Sequence, residues 1–147
     1  MKIIQVVGRS NTGKTTLIRT LVPHLARLGR VGVIKHLGDH MFALEKGRDT
    51  TEFFSAGASI SVGIDAEKSV AAFRPGSLDD MLALLEESGM DYCIIEGFKT
   101  RPFPRIVIGD LVTENCMLRN PDVDEIIANL DRFPIYAGPE KRREEPS

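Results

Sequence analysis

Apolar positions fall in short runs divided by glycine-rich or charged stretches, and the runs alternate between strand-like and helix-like spacing. Ile3 to Val7 is a β-rich run that ends at Gly8. In the following "KTTLIRTLVPHLARLG", Leu17, Leu21, Leu25 and Leu28 share one helical face, Pro23 bends the helix and Gly29 stops it. Val31 to His36 predicts a second strand, and "DTTEFFSAGA" a short helix from near Asp49 to near Gly57. "SISVGI" and "SVAAF" predict a hairpin turning at "DAEK". Ser77 heads a third helix, with Asp79 and Asp80 in its first turn, Met81, Leu84 and Leu85 inward, and Gly89 as its stop.

"YCIIEG" is the most continuously apolar run, as expected of a strand covered on both faces of a parallel sheet. "RIVIGD" predicts another strand, and Asn120-Pro121 opens a last helix through Ile126, Ile127 and Leu130. The alternation implies an α/β fold, a mostly parallel sheet with helices on both faces. One domain over residues 1–137 is expected, followed by a charged, mobile tail over 138–147.

Composition narrows the function. The 147 residues carry 19 Lys plus Arg against 21 Asp plus Glu, a formal charge of -2, so no net basic field points to nucleic acid or an anionic membrane. No apolar run reaches the roughly eighteen residues of a membrane span, and a cytoplasmic protein is expected. Cys93 and Cys116 lack both disulfide-framework and metal-ligand spacing, and Cys93 reads as a buried core thiol.

The sharpest chemical signal is "VVGRSNTGKTT". Gly8, Gly13, Lys14 and Thr15 fit G-x-x-x-x-G-K-[ST] between a strand and a helix, the phosphate-loop context. Backbone N–H groups from Gly8 through Ser10, Asn11, Thr12, Gly13 and Thr16 are placed to cradle phosphate. Lys14 is expected on the β- and γ-phosphates, and the Thr15 hydroxyl on Mg²⁺. This makes the fold P-loop NTPase-like. Glu96, ending the buried "CIIE" run, is the candidate carboxylate that holds the metal or orients a nucleophile.

After the second strand come Lys35, His36, Asp39, His40, Arg48 and Asp49. Such a loop belongs beside the γ-phosphate, where Lys35 or Arg48 could neutralise charge and Asp39 or Asp49 position water or metal. A helix N-cap is the equal alternative for Asp49. His36 and His40 read as polar loop histidines, since a metal pair would need a helix there. "RPFPR", residues 101–105, is either a partner-binding loop or a rigid turn. Lys99, Arg101 and Arg105 either grip an anionic ligand or form a solvated basic loop.

"GRSNTGKTTLIRTLVPHL", "VGVIKH", "KGRDTTEFFSAGA" and "DYCIIEGFK", in this order over roughly the first hundred residues, resemble the molybdopterin-guanine dinucleotide biosynthesis protein B (MobB) family. The resemblance implies a small homodimeric P-loop protein that binds GTP, hydrolyses it slowly and assists the guanylyltransferase partner that attaches GMP to molybdopterin. Two departures stand out: "LGDH" replaces a histidine-rich run after Lys35-His36, and Arg48 replaces a lysine. The guanine-reading pattern [NT]-K-x-D is absent, so nothing in the residues themselves separates GTP from ATP. A small-molecule kinase, another NTPase, and a non-hydrolysing adaptor ordered by its nucleotide are the alternatives.

Overall fold

The structure, a computed structural model, describes residues 1–38, 41, 43–74 and 76–138. They fall into two compact units, one joining Met1–His36 to the chain from Asp79 onward, the other comprising Leu37–Leu78. Residues 37–78 form the second of these units within the expected domain span of 1–137. The tail after residue 138, Asp39 and His40 lie outside the described residues.

The first unit is built on five strands: β1 (Lys2–Gly8), β2 (Val31–Lys35), β5 (Tyr92–Glu96), β6 (Arg105–Ile108) and β7 (Cys116–Arg119). Their order is β2-β5-β1-β6-β7, and every pairing is parallel. The alternation of strand side chains sorts the core into two layers. Ile4, Val6, Ile94 and Ile106 pack with Ile18, Leu21 and Leu25 of α1 (Lys14–Ala26) and with Ile126 of α4 (Val123–Ala128). Ile3, Cys93, Ile95 and Val107 occupy the opposite layer. On that side α3 (Leu78–Glu87) lies over the sheet, so close that a side chain at Gly32 would meet Leu85 Cδ1 at 2.8 Å. Helices therefore cover both faces, and β5 is buried between β1 and β2 as its apolar run requires.

Several boundaries shift from the sequence expectation. In α1 the inner face is Ile18, Leu21 and Leu25, while Leu28 is exposed beyond the helix end. Leu82, not Leu84, is the fully buried residue of α3. The cap of α4 is Asp122, whose carboxylate accepts the Glu125 N–H at 2.8 Å, rather than Asn120. Strand β7 and the 3₁₀ turn Leu130–Arg132 were not foreseen.

The second unit holds α2 (Asp49–Ser55) and an antiparallel hairpin of β3 (Ile60–Ile64) and β4 (Ser69–Phe73), as the "DAEK" turn predicts. Asp65 Oδ1 closes that turn by accepting the Glu67 and Lys68 N–H groups, both at 2.8 Å.

Candidate functional site

Strand β1 delivers the chain to the phosphate loop at Gly8, where a Cβ would lie 2.5 Å from the Ile108 carbonyl oxygen, so only glycine fits. Asn11 (φ 58°) and Gly13 (φ 94°) take left-handed conformations that curl the loop, and the Thr12 hydroxyl fastens it by donating to Arg9 O at 2.8 Å. Gly13 leads directly into α1 with no side-chain cap. The N–H groups of Lys14, Thr15 and Thr16 consequently lack helical acceptors and are available to an anion. Lys14 Nζ reaches back over the loop to donate to Arg9 O at 2.6 Å.

Sheet register supplies the rest. Val6 pairs with Glu96, and Glu96 with Lys35, so the two charged side chains emerge side by side at the carboxyl ends of β5 and β2. Lys35 Nζ lies 3.5 Å from Glu96 Oε1, and the Thr15 hydroxyl lies 3.4 Å from each carboxylate oxygen. Burial lowers the Lys14 pKa most; Glu96 opposes that shift, while Lys99 and Lys35 add to it. Lys14 thus lies within the field of two other lysines and of one carboxylate. A Thr hydroxyl beside a carboxylate is also a hard-oxygen pair suited to Mg²⁺. Among the described residues no group of three His, Cys, Asp or Glu is placed to hold a metal ion.

The other candidates have partners of their own. Arg48 precedes α2 in the N-cap position and pairs with Glu45, Nε to Oε2 at 3.0 Å. Asp49 is the first residue of α2, not its cap. Both belong to the second unit. His36 leaves β2 and rests its ring against Phe98, centroids 4.7 Å apart. Arg105 is buried and spends its guanidinium on the Lys99, Phe103 and Arg101 carbonyls and the Thr113 hydroxyl. Arg101 pairs with Asp79 at 2.9 Å. The basic loop is therefore a self-bonded turn, with Lys99 exposed.

The family profile described as Molybdopterin guanine dinucleotide synthesis protein B (MobB) matches residues 3–130. The chain belongs to the MobB family.

The "Molybdopterin-guanine dinucleotide biosynthesis adapter protein" of Haemophilus influenzae is 31% identical over 138 residues, covering 90% of this chain and 76% of that protein. A putative adapter of the same description from Methanocaldococcus jannaschii is 34% identical over 127 residues. That match covers 86% of this chain but 51% of the relative, so the chain spans about half that relative's length. The crystal structure of Bacillus subtilis MobB superposes with a TM-score of 0.70 at 26% identity, covering 88% of this chain and 98% of that one.

Two parts of this MobB-family site escaped the sequence reading. Gln5 is fully buried in β1 and donates through Nε2 to the carbonyls of Gly97, at 2.8 Å, and Phe98, at 2.9 Å. It thereby ties down the chain just after Glu96. A lone polar residue inside an apolar central strand was the available signal, because burial demands a partner. The second is a cleft of about 720 Å³ that starts at Gly13, Thr16 and Leu17 and is closed by Asn120, Asp122 and Val123. Asn120 had been read only as helix punctuation, and Asp122 had not been singled out.

Proposed function

We propose that this MobB-family chain is a GTP-binding adapter of molybdenum cofactor biosynthesis. In this reading it binds GTP with Mg²⁺ and assists a guanylyltransferase that attaches GMP to molybdopterin. The observation that carries it is the meeting of the Glu96 carboxylate with the Thr15 hydroxyl and the Lys35 ammonium at the mouth of the phosphate loop, over which Lys14 reaches back to Arg9 O. Family membership supplies the pathway, and the H. influenzae relative's description supplies the adapter role.

Thr15 and Glu96 would hold Mg²⁺, which when bound neutralises phosphate charge. Lys14 grips the terminal phosphates, and the first-turn N–H groups of α1 take the oxygens that remain. Hydrolysis is slow in this reading because the nearby arginines are engaged elsewhere. Arg9 pairs with Asp110 at 3.3 Å, Arg105 is buried on backbone carbonyls, and Arg119 donates to the Gly109 and Leu111 carbonyls. None is left as an arginine finger, so faster turnover would need a residue from a partner.

Location in the cytoplasm and a homodimeric state complete the proposal. Among the described residues no helix is long and apolar enough to cross a membrane. Ile60, Ile64 and Val70 leave an exposed apolar surface on the hairpin that a second copy could cover. The test is isothermal titration of the chain with GTP, ATP and molybdopterin in turn, each with Mg²⁺. GTP binding that Lys14→Ala abolishes is expected; ATP binding without GTP binding would refute the nucleotide assignment.

A further inference from the structure

We propose that the cleft between the start of α1 and the β7–α4 connection reads the nucleotide's base, and that Asn120 and Asp122 make it select guanine. This rests on the reading that the phosphate loop holds a nucleoside triphosphate. The cleft begins at Gly13 and Thr16, where the phosphate grip ends, so a ligand held there by its phosphates extends into it. Its volume, about 720 Å³, accommodates a nucleoside. Leu17, Ile108, Pro121 and Val123 give it apolar walls against which a flat heterocycle can lie.

Selectivity comes from how two side chains are already committed. Asn120 has φ 47°, and its Oδ1 accepts the Gly109 N–H at 2.6 Å, which fixes the amide orientation. Its Nδ2 is left as a donor with no partner among the described residues. Asp122 uses Oδ1 to accept the Glu125 N–H, leaving Oδ2 as an acceptor in the same position. Among the polar side chains of the cleft, which include Thr20, His24 and Asp124, Asn120 thus offers an amide donor and Asp122 a carboxylate acceptor two positions further along the chain. Guanine is complementary: O6 and N7 accept, while N1–H and the N2 amine donate. Adenine opposes both groups, its N6 amine facing a donor and its N1 lone pair facing a carboxylate. The [NT]-K-x-D pattern is absent, yet the chemistry it supplies is reproduced by Asn120 and Asp122.

Asp122→Asn provides the test, because asparagine caps a helix as well as aspartate and the fold should persist, as a thermal melt would verify. Xanthine carries a carbonyl where guanine carries its N2 amine, so an amide at 122 should prefer it. Titrations would use Mg²⁺ with GTP, XTP, ATP and inorganic tripolyphosphate, the last as a base-free probe. The wild-type chain should favour GTP over the other three. D122N should lose about tenfold to a hundredfold in GTP affinity, gain XTP affinity and bind tripolyphosphate unchanged.

Asn120→Asp keeps the acceptor for Gly109 N–H but removes the donor, and should weaken GTP without admitting XTP. A D122N chain that still prefers GTP overturns the inference. So does a wild-type chain that binds GTP no tighter than tripolyphosphate, an outcome that leaves the phosphate-loop reading standing. Failure to bind any of the four ligands defeats both.

Discussion

Gln5 holds Phe98 in a left-handed backbone conformation, φ 52°, by donating to its carbonyl at 2.9 Å from inside the central strand. A bulky residue there is strained, and such strain persists only where surrounding bonds determine it. Gln5→Leu would leave the Gly97 and Phe98 carbonyls without this donor. A loss of about 1–3 kcal/mol in unfolding free energy is expected, read by urea denaturation. Because Phe98 follows Glu96 by two residues, Mg²⁺-dependent nucleotide binding should weaken as well. Wild-type stability in Q5L would contradict the role.

Glu96 lies within 3.5 Å of Lys35 Nζ and 3.4 Å of the Thr15 hydroxyl. Glu96→Gln preserves shape but removes the charge a divalent cation needs. Nucleotide affinity measured with and without Mg²⁺ should differ clearly in the wild type and hardly in E96Q. An undiminished Mg²⁺ effect in the variant would exclude Glu96 from metal binding.

Burial holds Lys14 below the ordinary lysine value of 10.5, with Lys99 and Lys35 reinforcing the shift and Glu96 resisting it. A lysine grips phosphate only while charged, so affinity is full at low pH and lost as pH rises through the lowered pKa. Tripolyphosphate titrations should therefore show the decline setting in before pH 10.5. Lys99→Ala, by removing a neighbouring positive charge, should move it to higher pH. An unmoved profile in K99A would show that Lys99 exerts no such field.

Cys93 has no solvent exposure, and burial raises its thiol pKa to about 12, whereas Cys116 is exposed. The thiolate is the reactive form. Near neutral pH a thiol reagent should modify one cysteine per folded chain, and peptide mass mapping should locate it at Cys116. Labelling of both without denaturant would show that the sheet opens at β5.

The sheet and the phosphate site were legible because their signals are local. The apolar run ending at Glu96 determined both the burial of β5 and the position of its carboxylate, and the spacing from Gly8 to Thr15 specified a loop between strand and helix. Register then brought Lys35 to Glu96, which no local pattern encodes. Strand β7 was hidden because "CMLR" is short and places one buried residue, Leu118, among polar and half-exposed ones. The Arg105 side chain reads as a surface charge in sequence, yet it is buried where the Lys99, Arg101 and Phe103 carbonyls and the Thr113 hydroxyl converge as acceptors. Asn120 was taken for a helix cap because Asn-Pro is a good opening pair, but Asp122 won that place by reaching the Glu125 N–H.

The chain around Pro134 to Tyr136 returns to the beginning of β1, where Ile3 N–H donates to Pro134 O at 2.9 Å and Tyr136 N–H to Met1 O at 2.8 Å. Strand β1 then runs the seven residues from Lys2 to Gly8, on the order of 20 Å, before reaching the phosphate loop. An anchoring group attached at Ala137 would thus sit at the far end of the strand from Lys14, and a chain tethered there to a sensor surface should present its phosphate loop to the bulk solution.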